Sequence, residues 1–500
     1  MQSKFFSMSS ETKQQSVVIS HQSLMTLRAI TAATALSDGY DLGVVNGVSM
    51  ILSKSAYTAA TISIFVSVMP AAVGLGSISG SFFADKFGRK SVLIASYFLL
   101  IIGAIIMGIP SPYFGLLLTG RIITGLGIGV GGVVGTVYMA EISPTKTRGS
   151  MVGQESLFLS CGLLLGYLSN YAFINYEKNY NIMLGLGAIL PFFCLVALLT
   201  VGKNLPESPH WIKMTTEASS STDEENSRLV DDTSPPQDNV GKKSSTSQFR
   251  ALLRDLSNSP GAFPAILVGI LQPLCGIGPI LYFSDLTFAS VASVGTAARD
   301  SQPNITASSI WIGLTKVSIL LISTFVLIDR IGRRTLLLCS SVLLVLSMTF
   351  VGVIFLEYKT MTGVLLFGFC AAVASYAIGW NIVPNVYPTE LLPTRLRTFG
   401  LSFITIIARC VSVANSFLYP LYGLENPAIW FFVYAGINLV SMVCVFLFAT
   451  ETLNKPLISR ARRGGAKKGE IVGSIEQSDR EELVRYTDDD EGEKAGKKTA

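Results

Sequence analysis

Asp38 and Asp41 stand three residues apart in SDGYDLG at 37–43, inside a stretch of chain that is otherwise apolar. A carboxylate in such a setting is a candidate proton carrier, because burying its charge is costly unless it is paired or neutralised. Three residues apart on a helix the two acids share a face, and two like charges on one face suit a site that takes up a proton. An interfacial seat for Asp38, with the buried stretch beginning after it, is the competing reading. The cation matched to Asp41 is Arg121, at the head of GRIITGLGIG at 120–129, whose small residues let another helix approach closely. An Asp–Arg pair that opens when the acid is protonated would couple proton movement to a change of shape. An Arg that only snorkels to the membrane surface is the alternative. The glycines are not a nucleotide fingerprint, since no strand precedes them.

A second group of charges repeats along the chain. GSFFADKFGRK at 80–90 and DRIGRR at 329–334 share the order Asp, Gly, then two cations, while EISPTKTR at 141–148 and ELLPTRLR at 390–397 share Glu, Pro and Arg at identical offsets. Two different motifs recurring in corresponding places imply an internal duplication. The charges are Asp85, Arg89, Glu141 and Arg148 in one copy and Asp329, Arg333, Glu390 and Arg397 in the other. With Gly80, and with Gly88 and Gly332 for tight turns, they form a candidate network that latches helix ends in one state and releases them in another. Basic turns that merely fix topology are the simpler reading.

Polar groups able to meet a small polyhydroxylated solute sit in other apolar stretches: Gln154, Glu155 and Ser156; Gln272; and Trp380, Asn381 and Asn385. Amides offer donor and acceptor together, and an indole offers a flat face to a sugar ring. Each can equally serve as glue between helices. Nothing points to catalysis. The two histidines, His21 and His210, flank apolar stretches, and the seven cysteines lie within such stretches with no C-x-x-C spacing. Neither a metal, a cofactor nor a disulfide framework is expected, and the chain does not read as an enzyme.

Residues of this kind need elements that hold them within lipid. Half of the 500 residues are hydrophobic and 14% are charged, against about 25% charged in soluble domains, so lipid must solvate much of the surface. With about 20 apolar residues as the unit of a span, twelve segments emerge, near 27–48, 60–84, 91–109, 113–140, 150–175, 181–202, 262–290, 308–328, 335–356, 361–388, 398–422 and 428–449. The expected fold is an all-α membrane protein with twelve transmembrane helices in two six-helix halves. The corresponding divisions are an N-terminal tail at 1–26, a first bundle at 27–202, a polar Ser-rich linker at 203–261, a second bundle at 262–449 and a disordered tail at 450–500. No cleavable signal peptide is evident, the first 26 residues being polar.

Lys86, Arg89, Lys90, Lys146, Arg148, Arg330, Arg333, Arg334, Arg395 and Arg397 crowd one set of loops, against Lys54, Lys178, Arg299 and Lys359 on the other. This asymmetry puts the first set, and both termini, in the cytosol. The sequon Asn304-Ile305-Thr306 falls on the opposite face. The tail from Lys455 to Lys468 carries six cations and no acid, and is expected to lie on an anionic leaflet while the acidic block after Asp488 stays solvated. A net charge of +5 gives no argument for nucleic acid. Parallel halves around a central site are the geometry of an alternating-access transporter. The expected partners are a small solute, protons and membrane lipids, with the chain a monomer in the plasma membrane or in a vacuolar or other endomembrane.

Taken together, GYDLG, ADKFGRK, GRIITGLGIG, EISPTKTRG, PESPHW at 206–211, DRIGRR and ELLPTRLR resemble the motifs of the sugar porter family of the major facilitator superfamily, in order and from segment 1 to segment 12. Within it, residues 148–173 and 315–338 resemble the plant-type polyol and monosaccharide transporters, which are proton symporters. The resemblance implies the major facilitator fold and carriage of a monosaccharide or polyol, with symport as the expected mode. A facilitative carrier and a non-transporting nutrient sensor are the alternatives. It implies Asp41 as the proton-titrating carboxylate with Arg121 as its partner, and Gln272 as the first Gln of the family's Q-Q-x-[ST]-G motif. The chain departs from that motif at Pro273, Cys275 and Gly278. Ser156 stands where the family has a sugar-contacting Gln, Asn385 where it has a Trp, with a Trp instead at Trp380, and TET at 450–452 replaces the closing P-E-T. The latch motifs are kept while several ligand contacts are not, so transport is better supported than hexose as the cargo.

Overall fold

A hydrocarbon solvent offers no hydrogen bonds, so a chain crossing it must satisfy its backbone within helices. The computed structural model of the protein does this throughout. It describes residues 21–54, 57–110, 113–142, 148–176, 179–200, 207–208, 211–212, 254, 256, 261–292, 302–357, 362–392 and 397–452. The basic and acidic tail segments and nearly all of the polar linker lie outside the described residues.

The first half comprises α1 (His21–Lys54), α2 (Ala59–Phe87), α3 (Arg89–Gly108), α4 (Phe114–Ile142), α5 (Arg148–Phe173), and α6 (Asn179–Gly185) running through a 3-10 turn into α7 (Ile189–Thr200). The second comprises α8 (Ala262–Leu274), α9 (Ile277–Ala292), α10 (Gln302–Ile322), which passes through a π turn into α11 (Ile328–Ile331), α12 (Arg333–Glu357), α13 (Thr362–Ile378), α14 (Val383–Leu391), α15 (Arg397–Leu418) and α16 (Pro427–Phe448). Among the described residues eleven helical runs are long and apolar enough to span a membrane, and the 34-residue α1, which carries Asp38 and Asp41, stands beside them. The outward surface is apolar as lipid demands, with Leu346, Phe367 and Phe446 more than half exposed.

Two crossings are broken, both in the second half. Pro273 ends α8 and Gly276, at a φ of 82°, turns the chain before α9. The second break falls between α13 and α14, where residues 379–382 leave the helix and Pro384 restarts it. Such breaks are stable at membrane depth only where they face protein or a cavity.

Glycine sets how closely α1 and α5 approach. A methyl group on Gly39 would fall 1.8 Å from the Leu159 carbonyl oxygen, and one on Gly162 would fall 2.0 Å from that of Leu36. Backbone therefore meets backbone, and the two helices behave as one body.

The halves touch at both ends of a central space. At the end where α1 finishes, Asn46 Nδ2 donates to Ser284 Oγ at 3.0 Å and to Ser309 Oγ at 3.1 Å, while its Oδ1 accepts from the Asp285 amide at 3.1 Å. At the opposite end, Ser402 on α15 is hydrogen-bonded to Ser81 and donates to the Ser77 carbonyl at 3.1 Å on α2. Val133, Val137 and Leu401 form an apolar plug near that end.

Candidate functional site

Asp38 and Asp41 lie well inside the 34-residue α1 and are buried, so the interfacial reading of Asp38 does not hold. The two acids have different partners. At 3.6 residues per turn, three residues leave an offset of about 60°, enough to send them to different neighbours. Asp41 Oδ2 receives Arg121 Nη1 at 2.5 Å. The guanidinium is fully buried in α4, donates through Nε to the Phe65 carbonyl at 3.3 Å, and lies 4.7 Å from the centre of the Phe65 ring. It does not snorkel to a surface. Asp38 instead faces the centre of the molecule and meets Arg409 Nη2 of α15 at 3.7 Å.

The centre is a cavity of about 270 Å³ lined by both halves. From the first half come Asp38, Glu155, Ser156 and Thr136; from the second come Gln272, Lys316, Tyr376, Asn381, Asn385, Arg409 and Asn415. Glu155 Oε2 is held by Thr136 Oγ1 at 2.6 Å. Ser156 Oγ donates to the Asn381 carbonyl at 3.0 Å and accepts from Asn385 Nδ2 at 2.9 Å, joining α5 to the break between α13 and α14. Ser156 and Asn385 thus do both things expected of them, lining the space and gluing helices. Gln272 Nε2 reaches Tyr376 Oη at 3.4 Å and the Trp380 carbonyl at 3.3 Å, and Asn381 Nδ2 is buried without a hydrogen-bond partner among the described residues.

Two expectations need correction. Trp380 offers no face to the cavity: its side chain is fully buried and Nε1 is spent on Ser341 Oγ at 2.9 Å, so only its backbone approaches Gln272. Gln154, although next to Glu155, is not among the lining residues, because α5 turns it about 100° away.

The two charge networks form as duplicates. Arg89 Nη2 lies 3.3 Å from Asp85 and 3.4 Å from Glu141, and Arg333 Nη2 lies 2.8 Å from Glu390. Each arginine also donates to a carbonyl five residues back, Ala84 at 3.1 Å and Ile328 at 2.9 Å. The side chains of Arg148, Asp329 and Arg397 lie outside the described residues. Gly80 packs against Val130 of α4, where an added methyl would fall 2.8 Å from its Cα.

Each network has a member not anticipated from sequence. Glu207 accepts from the Arg89 amide at 2.8 Å, and Glu451 accepts from the Arg333 amide at 2.9 Å. They cap the helix N-termini of α3 and α12, where a negative charge is favoured. Ser208 then donates to Glu141 at 2.5 Å, and Thr452 to Glu390 at 2.5 Å. Gly88 and Gly332 have φ of 87° and 95°, and a methyl on either would fall 2.8 or 2.6 Å from the capping carboxylate.

Lys316 and Arg409 were also not anticipated. Both are single cations inside apolar segments, and a search of the spans for bases as well as acids would have found them.

Residues 27–462 match the family model described as "Sugar (and other) transporter". A probable polyol transporter of Arabidopsis thaliana is 31% identical over 89% of this chain and 86% of its own length, and a second polyol transporter of that plant is 29% identical over 86% and 84%. A glucose transporter of Staphylococcus epidermidis is 27% identical over 84% and 92%. Among solved structures, the proton:xylose symporter XylE bound to 6-bromo-6-deoxy-D-glucose superposes with a TM-score of 0.69 at 18% identity, covering 87% of this chain and 97% of that one. The inward-open form of the xylose transporter XylE from E. coli gives 0.65 at 19%, over 87% and 98%.

Proposed function

The chain belongs to the sugar (and other) transporter family and has the major facilitator fold of a multi-pass membrane transporter; on that premise we propose that it carries a monosaccharide or polyol by alternating access, in symport with protons. The observation that supports this most is the buried Asp41–Arg121 pair, which ties α4 to the close-packed α1–α5 body that lines the central cavity. Protonation of Asp41 removes the attraction that holds Arg121, and α1 is then free to shift relative to α4. That shift is what the cavity's first-half wall must undergo to open.

In this cycle Gln272, Asn381 and Asn385 meet the solute's hydroxyls, with Ser156 as their brace. The paired networks around Arg89 and Arg333 latch the cytosolic helix ends while the opposite mouth is open, and they release when it closes. The bundles at 27–202 and 262–449 rock against one another, and both termini face the cytosol of a plasma membrane or endomembrane. One copy of the chain contains the whole site, as a monomer requires.

Radiotracer uptake into proteoliposomes, with and without an imposed pH gradient, tests the proposal. Accumulation driven by the gradient supports symport. Equilibration alone makes the protein a facilitative carrier, and absence of flux with retained binding makes it a sensor.

A further inference from the structure

The central cavity carries charge for which a neutral solute has no use. Its first-half wall holds Asp38 and Glu155, and its second-half wall holds Lys316 and Arg409. Lys316 on α10 is 1% exposed, and among the described residues no hydrogen bond or ion pair within 4 Å engages its ammonium. The neighbouring acids are committed elsewhere. Asp38 attracts Lys316 but makes its ion pair with Arg409. Glu155 is bonded to Thr136, and Asp41 is bonded to Arg121. Two cations therefore share a single directly paired acid.

A Lys at membrane depth persists when it faces a cavity in which water or a ligand satisfies it. Hydroxyl groups need no such residue, since the amides of Gln272, Asn381 and Asn385 already provide donors and acceptors on the same walls. A carboxylate does. The guanidinium of Arg409 presents a planar fork and Lys316 a compact point charge, and together they suit one carboxylate with hydroxyls beyond it.

We propose that the cavity takes a polyhydroxylated monocarboxylate, a sugar acid, with its carboxylate between Lys316 and Arg409 and its hydroxyls on the amides of Gln272, Asn381 and Asn385. This rests on the reading of the cavity as the transport site and narrows its solute to the acid form of a polyol or monosaccharide.

Matched pairs provide the test. D-gluconate and D-glucitol share one hydroxylated six-carbon chain and differ only at a terminal carbon; D-glucuronate and D-glucose form the ring counterpart. Binding to the purified full-length protein is expected to favour the acid by on the order of tenfold in at least one pair. Lys316→Gln and Arg409→Gln, read as the ratio of acid to neutral affinity within each variant, should each remove that preference. The wild-type comparison decides the matter by itself if a variant does not fold. Equal or tighter binding of the neutral member in both pairs overturns the inference and leaves the transport reading standing. A preference that survives in both variants also overturns it, and binding of no member overturns inference and transport reading together.

Discussion

At the residue scale the charge pairs divide by what they can do when broken. Asp41 has one strong partner, Arg121 at 2.5 Å, so its neutralisation should free the helix contact without dismantling a network. Asp41→Asn is expected to abolish accumulation against a gradient while counterflow exchange persists, since the amide is neutral like the protonated acid. Loss of exchange and of folded protein together would make Asp41 a structural residue. Gly88 and Gly332 carry a different burden, because a side chain there meets both an unfavourable φ and a carboxylate already in place. Gly332→Ala should lower stability by roughly 1–3 kcal/mol, seen as a lower unfolding temperature in detergent; an unchanged temperature would mean that the Glu451 cap is dispensable. Asp41, Arg121 and the latch arginines were legible in the sequence because motif and charge coincide there. Glu207 and Glu451 were not, although their motifs had been noticed, because their role lies in accepting backbone amides, which no side-chain pattern reports. Trp380 misled for the opposite reason: an indole suits a sugar ring, but a buried N–H must first find an acceptor, and Ser341 provided one.

At the element scale the latch and the glycine seam have opposite functions. Arg333 joins α12 to α14 through Glu390, and Arg333→Ala removes this ion pair, a loss of about 3 kcal/mol or more where the pair is buried. The state that needs the latch is then depopulated. In a cysteine-free background carrying Leu401→Cys, the thiol in the apolar plug should react faster with a charged thiol reagent once Arg333 is replaced, and an unchanged rate would reduce the network to an anchor. The seam between α1 and α5 admits no such adjustment. Gly162→Leu should prevent assembly altogether, and recovery of a monodisperse, solute-binding variant would contradict the backbone contact described. Eleven crossings were legible as apolar runs of the right length. The breaks at 275–276 and 379–382 were not placed, since a proline in a membrane helix is compatible with an unbroken one and only the neighbours decide.

At the scale of the whole molecule the duplication is visible in the contacts themselves. Arg89 stands to Glu141 and Glu207 as Arg333 stands to Glu390 and Glu451. Ligand groups do not follow this symmetry, for the broken crossings and most of the amides belong to the second half. One half thus supplies the close-packed wall beside the Asp41–Arg121 pair, and the other supplies the wall with the broken crossings. Dissipating the proton gradient should therefore lower the accumulation ratio in proteoliposomes to equilibration, and a ratio unchanged by its loss would mean that no proton is coupled.

The clasps at the two ends, Asn46 with Ser284 and Ser402 with Ser77, obey a lever rule. A helix of 26 residues such as α5 is about 39 Å long at 1.5 Å per residue. Pivoting it about its midpoint by about 10°, a modest angle among rigid-body rearrangements, swings each tip about 3.4 Å in opposite directions. A hydrogen bond has no such reach. One clasp must part as the other tightens, so neither mouth can open without tension on its counterpart.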